Sequence, residues 1–138
     1  MASIRQEITV ALSAEAVWDA VRDAGAVHQR LVPGRVASVR LVADERILVF
    51  DGGREIRELI LDIDDDARRF AYAVVEGDML GLTFHHATFE VIAEEPGICR
   101  LVWVTDFAPN HLADEVRARL SVGAALMKRT LEGSAGTS

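Results

Sequence analysis

TFHHATFEVIAEEPGICRLVWVTDF, residues 83–107, carries the clearest structural signal in the chain. Its two halves alternate between core-type and polar residues on either side of Glu94-Glu95-Pro96-Gly97, a sequence typical of a turn. This pattern predicts two antiparallel strands, each with one buried face. The side chains expected on that buried face are Thr83, His85, Ala87, Phe89 and Val91 on the first strand and Leu101, Trp103, Thr105 and Phe107 on the second.

The same pattern of strands and turns extends toward the N-terminus. Polar or glycine-containing turns separate six apolar stretches between Val36 and Phe107, and Ile4–Leu12 alternates like a further strand. The connections between consecutive strands are too short for the helical crossovers that parallel strands need. We therefore expect an antiparallel meander of six strands, which the first strand brings to seven, with Tyr72 on the same inner face as His85.

Two short helical segments are expected after the first strand. Ser13 is a suitable N-cap for a helix that ends near Arg22. Residues 24–31 are expected to form a second helical turn, which Pro33-Gly34 would end.

A longer helix is expected at the C-terminal end. Residues 111–132 carry apolar side chains every three or four positions, which predicts one helix with a buried face, and Gly133 is expected to end it. We expect a single domain over residues 1–132 and a disordered tail over residues 133–138.

Composition narrows the class of protein. The 138 residues include 15 basic and 22 acidic side chains, for a net charge of -7, and the basic residues are scattered, so nucleic-acid binding is not expected. The single cysteine, Cys99, excludes an internal disulfide and a cysteine-based zinc site. No apolar run approaches the roughly 20 residues of a membrane span, and the first residues lack the pattern of a signal peptide. A cytoplasmic location is therefore expected.

A strongly curved sheet encloses more space than one helix fills. The arrangement of one sheet and one long helix therefore predicts a cavity between them, with an apolar wall and a few polar groups, as in many small-molecule sites. The side chains expected to line it are Tyr72, His85, Trp103 and Phe107 from the sheet and Val116, Leu120 and Met127 from the helix.

Several local motifs, taken in order, resemble a known family. They are Ile8-Thr9-Val10, the run from Ala14 to Asp23 containing Val17-Trp18-Asp19, Pro33-Gly34, the run from Arg54 to Leu59, and Trp103 with Phe107 and Pro109. Over residues 3–132 the chain resembles the polyketide cyclase/dehydrase branch of the START/Bet v 1-like (SRPBCC) superfamily. The resemblance implies an α+β helix-grip fold, in which a seven-stranded curved antiparallel sheet wraps around a long C-terminal helix, with two short helices after the first strand. It implies no single reaction, because this fold serves receptors, lipid carriers and aromatic ring cyclases.

Glu58 is the first candidate for a polar centre of the cavity. Alternation places it with Ile56 and Ile60. Burying an acidic group on an apolar face is energetically unfavourable unless the group forms an ion pair or has a functional role. The resemblance implies that the matching glutamate commonly points into the cavity. The alternative is a carboxylate on the outer face, paired with an arginine.

His85 is the second candidate, as a titratable group in an apolar pocket. The alternative is a core histidine whose hydrogen bonds go to a carbonyl group or to water. His85 and His86 cannot chelate one ion, because neighbours on a strand point to opposite faces. No metal and no cofactor are expected.

Three classes of function fit these observations. The first is a carrier or receptor for an apolar small molecule, such as a polyketide, a lipid or an aromatic compound, with Glu58, Tyr72 and His85 giving selectivity. The second is a cofactor-independent cyclase or dehydratase, in which Glu58 and/or His85 transfer a proton. The third is an interaction module that uses the sheet edge or the helix surface. The protein is expected to be a monomer or a homodimer.

Overall fold

One antiparallel sheet forms the body of the protein in the computed structural model, which describes residues 1–77 and 80–135. Its strands are β1 (Ala2–Val10), β2 (Ser38–Val42), β3 (Glu45–Val49), β4 (Glu55–Asp64), β5 (Arg69–Glu76), β6 (Phe84–Glu95) and β7 (Ile98–Ala108). Their order across the sheet is β1-β7-β6-β5-β4-β3-β2, and each neighbouring pair is antiparallel. The prediction of seven antiparallel strands is confirmed: β2 to β7 form a meander, and β1 pairs with β7 at the edge of the sheet.

The helices lie at the expected places in the chain. They are α1 (Ala14–Val21), a 3₁₀ turn (Ala24–Ala26), α2 (Val27–Arg30), a second 3₁₀ turn (Asn110–Leu112) and α3 (Ala113–Ala135). The Ser13 hydroxyl accepts a hydrogen bond of 3.2 Å from the Ala16 N–H, so Ser13 is the N-cap of α1. Within the described ranges, no helix combines the length and the apolar composition that a membrane span requires.

The C-terminal helix runs further than the sequence predicts. It continues through Gly133 to Ala135, whereas we expected it to end at residue 132 and a disordered tail to begin at 133. Glu132 explains the difference, because its carboxylate accepts hydrogen bonds of 2.9 Å from the Ala11 N–H and from Lys128 Nζ. These contacts hold the last turn against the end of β1 and offset the cost of about 1 kcal/mol that glycine brings to a helix. Residues 136–138 of the expected tail lie outside the described residues.

The core lies between the concave face of the sheet and α3. The predicted inner-face residues Phe89, Leu101 and Trp103 are buried. On α3, the buried side chains are Val116, Leu120, Ala124, Met127 and Leu131. The helix backbone comes very close to the sheet at Gly123, where an added Cβ would lie 3.2 Å from Trp103 Cζ3. The sheet, the short helices and α3 together form the predicted helix-grip fold.

Helix α1 is fastened to the turn between β4 and β5. Trp18 is buried and its Nε1–H donates to Asp65 Oδ1 at 2.9 Å, and Arg22 Nε donates to the same oxygen at 2.8 Å. The Arg22 hydrogen bond and then the Trp18 hydrogen bond lower the pKa of Asp65.

We expect Asp65→Asn to lower the midpoint of urea unfolding more at about pH 7 than at about pH 3. A carboxyl group with a lowered pKa in the folded state stabilises the protein above its unfolded-state pKa, and this stabilisation is lost as the pH falls through the folded-state pKa. The wild type should therefore lose its advantage over the variant on acidification. Asp66→Asn, in the same turn and exposed, is the control. A difference that does not change with pH would contradict this role of Asp65.

Candidate functional site

A mostly apolar cavity of about 160 Å³ lies between the sheet and α3. Seven of the eight residues predicted to bind a ligand line it: Glu58, Tyr72, His85, Trp103, Val116, Leu120 and Met127. The eighth, Phe107, is fully buried but does not belong to the described cavity wall. It lies near the end of β7, in register with His85 on β6 and Ala2 on β1, and its ring fills the core there.

Three aromatic rings form a continuous stack on the sheet side of the cavity. The ring centroids of Tyr72 and Phe89 are 6.2 Å apart with an interplanar angle of 27°, and those of Phe89 and Trp103 are 5.1 Å apart at 18°. The stack crosses β5, β6 and β7, and the register explains it, because Phe89 and Trp103 are directly opposite each other. A flat apolar ligand can extend this stack.

Glu58 forms a buried ion pair with Arg46. The two residues are directly opposite each other on β4 and β3, and Glu58 Oε1 lies 2.9 Å from Arg46 Nε and 2.7 Å from Nη2. Only 6% of Glu58 and 4% of Arg46 is exposed, and the guanidinium lies over the rings of Phe70 and Tyr72 at 5.1 and 5.5 Å. The structure thus combines two readings of the sequence, because Glu58 lines the cavity and is also paired with an arginine.

Arg46 lines the cavity, although it was not among the residues predicted from the sequence. The signal was present in the turn Asp51-Gly52-Gly53, because a hairpin centred on Gly52 pairs position 46 with position 58. The alternation of β3 alone does not reveal the inward side chain, since Arg46, Ile47 and Leu48 are all buried.

Tyr72 is a hydrogen-bonding group in this wall. Burial is the main cause that raises the pKa of its hydroxyl, and the negative charge of Glu58 raises it further. The hydroxyl therefore stays protonated and can donate a hydrogen bond. The Trp103 indole N–H approaches it and opposes the rise in pKa, but the two groups do not have the geometry of a hydrogen bond.

Two polar atoms of the cavity wall are buried without a hydrogen-bond partner among the described residues. They are Trp103 Nε1 and Thr105 Oγ1, and Thr105 is fully buried. A buried polar group without a partner costs about 1–3 kcal/mol, so most proteins satisfy such groups with a protein, water or ligand atom. These atoms can supply a polar contact to a molecule in the cavity.

The two adjacent histidines lie on opposite faces of β6. His85 is half-buried and lines the cavity, whereas His86 Nδ1 lies 3.5 Å from Asp106 Oδ2, outside it. In residues 1–77 and 80–135, no group of three or more His, Cys, Asp or Glu side chains could hold a metal ion. Cys99 is buried, and burial raises the pKa of its thiol, which does not favour a nucleophilic role.

One end of the cavity adjoins an open groove between the Pro33-Gly34 turn and α3. Phe50, Arg35 and Arg119 line both the cavity and the groove, so they form the entrance. Burial and then the nearby charge of Arg119 lower the pKa of Arg35. This entrance could not be predicted from the sequence, because its side chains come from two loops and a helix that are far apart in the chain.

A family model described as polyketide cyclase/dehydrase and lipid transport matches residues 1–136. Among solved structures, the chain is similar to the protein XoxI from Bacillus cereus, with 21% identity, a TM-score of 0.82, and 97% of this chain and 95% of that chain covered. It is also similar to norcoclaurine synthase from Thalictrum flavum, in complex with dopamine and hydroxybenzaldehyde, with 22% identity, a TM-score of 0.76, and 97% and 86% covered. A third is the di-domain aromatase/cyclase BexL from the BE-7585A biosynthetic pathway, with 16% identity, a TM-score of 0.81, and 96% and 47% covered. A comparison with curated protein sequences finds no match.

Proposed function

We propose, since the chain belongs to the polyketide cyclase/dehydrase and lipid transport family, that it binds one hydrophobic small molecule in the cavity between the sheet and α3. A polyketide, a lipid or an aromatic compound fits this description. The observation that carries the proposal is an apolar cavity whose wall holds two polar atoms, Trp103 Nε1 and Thr105 Oγ1, that have no hydrogen-bond partner in the described part of the chain. A site of this kind binds through apolar contact and orients its ligand with a few polar groups.

The ion pair between Arg46 and Glu58 favours binding over catalysis. Glu58 Oε1 accepts a hydrogen bond from Arg46 Nε and forms an ion-pair contact with Nη2 of the same guanidinium group, which holds the carboxylate in place. A general base must instead reach the proton that it removes. Glu58 therefore acts in this proposal as a fixed charge in the cavity wall, next to the Tyr72 hydroxyl.

The second candidate function is a cofactor-independent cyclase or dehydratase. Its support is His85, an imidazole that lines the cavity and can transfer a proton near neutral pH. A carrier returns its ligand unchanged, whereas such an enzyme returns an isomer or a product that has lost water. Native mass spectrometry of the purified protein, followed by analysis of the released ligand, separates the two. A product that His85→Phe no longer forms, with ligand binding retained, would favour the enzyme.

We expect 1-octanol to change the fluorescence of Trp103 and not that of Trp18, the only other tryptophan. Trp103 lines the cavity, whereas Trp18 lies outside it with its indole bonded to Asp65. Burial of eight carbons gives roughly 6 kcal/mol before the cost of association, so half-saturation should fall between about 10 µM and 1 mM. Fluorescence titration of Trp18→Phe, which retains Trp103, measures this directly.

The matched control for this titration is Trp103→Phe, which retains only Trp18. Its emission should not respond to 1-octanol, whether or not the alcohol binds. An equal response of the two variants, or no response of Trp18→Phe, would contradict binding in the cavity.

A further inference from the structure

Arg35 is held at the entrance of the cavity against the backbone of α3. Its Nη1 lies 3.4 Å from the Arg119 carbonyl oxygen, and an added Cβ at Gly123 would lie 3.2 Å from the same nitrogen. The absence of a side chain at Gly123 thus leaves the space that the guanidinium occupies. A half-buried cation is thereby fixed where the apolar cavity meets the open groove.

The charge surroundings of Arg35 differ from those of most arginines in this protein. Nine described arginines have a carboxylate oxygen within 4.0 Å: Arg5, Arg22, Arg30, Arg40, Arg46, Arg57, Arg68, Arg69 and Arg100. Arg35 has no such partner within the described ranges, although the whole chain has a net charge of -7. The charge that acts on it most is the positive charge of Arg119, which also lines the entrance.

Arg35 has no carboxylate partner among the described residues, and the positive charge of Arg119 adds to the cost of burying its guanidinium, so an anion bound to Arg35 is favourable. The guanidinium group matches a carboxylate because its N–H groups form two parallel hydrogen bonds with the two oxygens. Aliphatic and aromatic side chains cover the wall beyond the entrance. The entrance and the cavity are therefore complementary to the two ends of an amphipathic acid.

We propose that the ligand is an apolar monocarboxylate, whose carboxylate binds Arg35 at the entrance while its apolar body occupies the cavity. This inference rests on the proposed function and adds the chemical class of the ligand. The acidic protein as a whole repels anions, so affinity for the acid is a property of this entrance alone.

The test compares octanoate with 1-octanol, which have the same apolar chain and differ in charge. We expect isothermal titration calorimetry at about pH 7.5 to show that the wild type binds octanoate at least about tenfold more tightly than the alcohol. Arg35→Gln should lose this preference while its affinity for 1-octanol stays within about twofold, and Arg35→Lys should keep part of it. The matched control is Arg117→Gln, which removes the same charge from an exposed position on α3 that lines neither the cavity nor the groove.

The possible results separate this inference from the function on which it rests. Equal affinity of the wild type for octanoate and 1-octanol would overturn the carboxylate proposal and leave the hydrophobic site intact. An equal loss for both ligands in Arg35→Gln, or an equal loss of octanoate binding in Arg117→Gln, would also overturn it. Binding of neither compound would overturn the proposed function itself. The comparison of the two ligands on the wild type decides the matter even if a variant does not fold.

Discussion

Replacing Arg46 with methionine should lower the free energy of unfolding by about 3–5 kcal/mol. The change removes the cation from a pair in which only 4% of Arg46 and 6% of Glu58 is exposed, and it leaves the Glu58 carboxylate buried without a partner. It also removes the guanidinium from the faces of Phe70 and Tyr72. Denaturant unfolding followed by circular dichroism measures the loss.

A double variant separates the cost of an unpaired charge from the value of the pair. Arg46→Met with Glu58→Leu removes both charges, so it should recover most of the loss. The control is Arg40→Met, which breaks an exposed pair with Glu55 across 3.6 Å and should cost no more than about 1 kcal/mol. If Arg46→Met costs no more than Arg40→Met, the buried pair does not have the role described here.

Gly77→Ala should destabilise the fold by about 2–4 kcal/mol. Gly77 has a φ of +78°, which L side chains rarely adopt, and an added Cβ would lie 2.5 Å from the Glu55 carbonyl oxygen and 3.3 Å from Ile56 Cα. Both neighbours are backbone atoms of β4, so they cannot move aside as the end of a side chain can. The start of β4 would have to separate from the end of β5.

Gly97→Ala isolates one of these two causes. Gly97 has a φ of +80°, but none of the described residues has an atom within 4 Å of an added Cβ, so this variant carries the backbone strain alone. We expect it to cost about 1 kcal/mol, clearly less than Gly77→Ala, in the same unfolding experiment. Equal losses for the two variants would show that close contact with β4 does not matter.

The architecture could be predicted because it depends on periodicity. The alternation between His85 and Phe107 marks one buried face on each of two strands, and the apolar spacing after residue 111 marks a helix. These patterns follow from the geometry of single elements, which is local in sequence. The same reasoning placed Tyr72 and Trp103 on one wall, where they now lie in one aromatic stack.

The polar chemistry of the site could be predicted only in part, because it depends on register and on loops. Glu58 could be placed by alternation, but its partner Arg46 requires the register of the β3–β4 hairpin. The position of Arg35 depends on the path of the chain after Pro33-Gly34 and on the close approach of α3 at Gly123. The prediction for Phe107 was wrong for a different reason. Its side chain is buried as predicted, but its position along β7 is too far from the cavity for it to line the wall.

The pairing of β1 with β7 has a consequence for the order in which the chain can fold. β1 is the first strand in sequence, yet Val10 pairs with Cys99 and Ala2 pairs with Phe107, near the far end of the chain. During synthesis the hairpins from β2 to β6 can form as they emerge, whereas β1 has no partner until β7 has been made. Closure of the sheet is therefore a late event with a high contact order. The hydrogen bond from the Ala11 N–H to Glu132 then joins α3 to the end of β1, which has paired with β7 only shortly before.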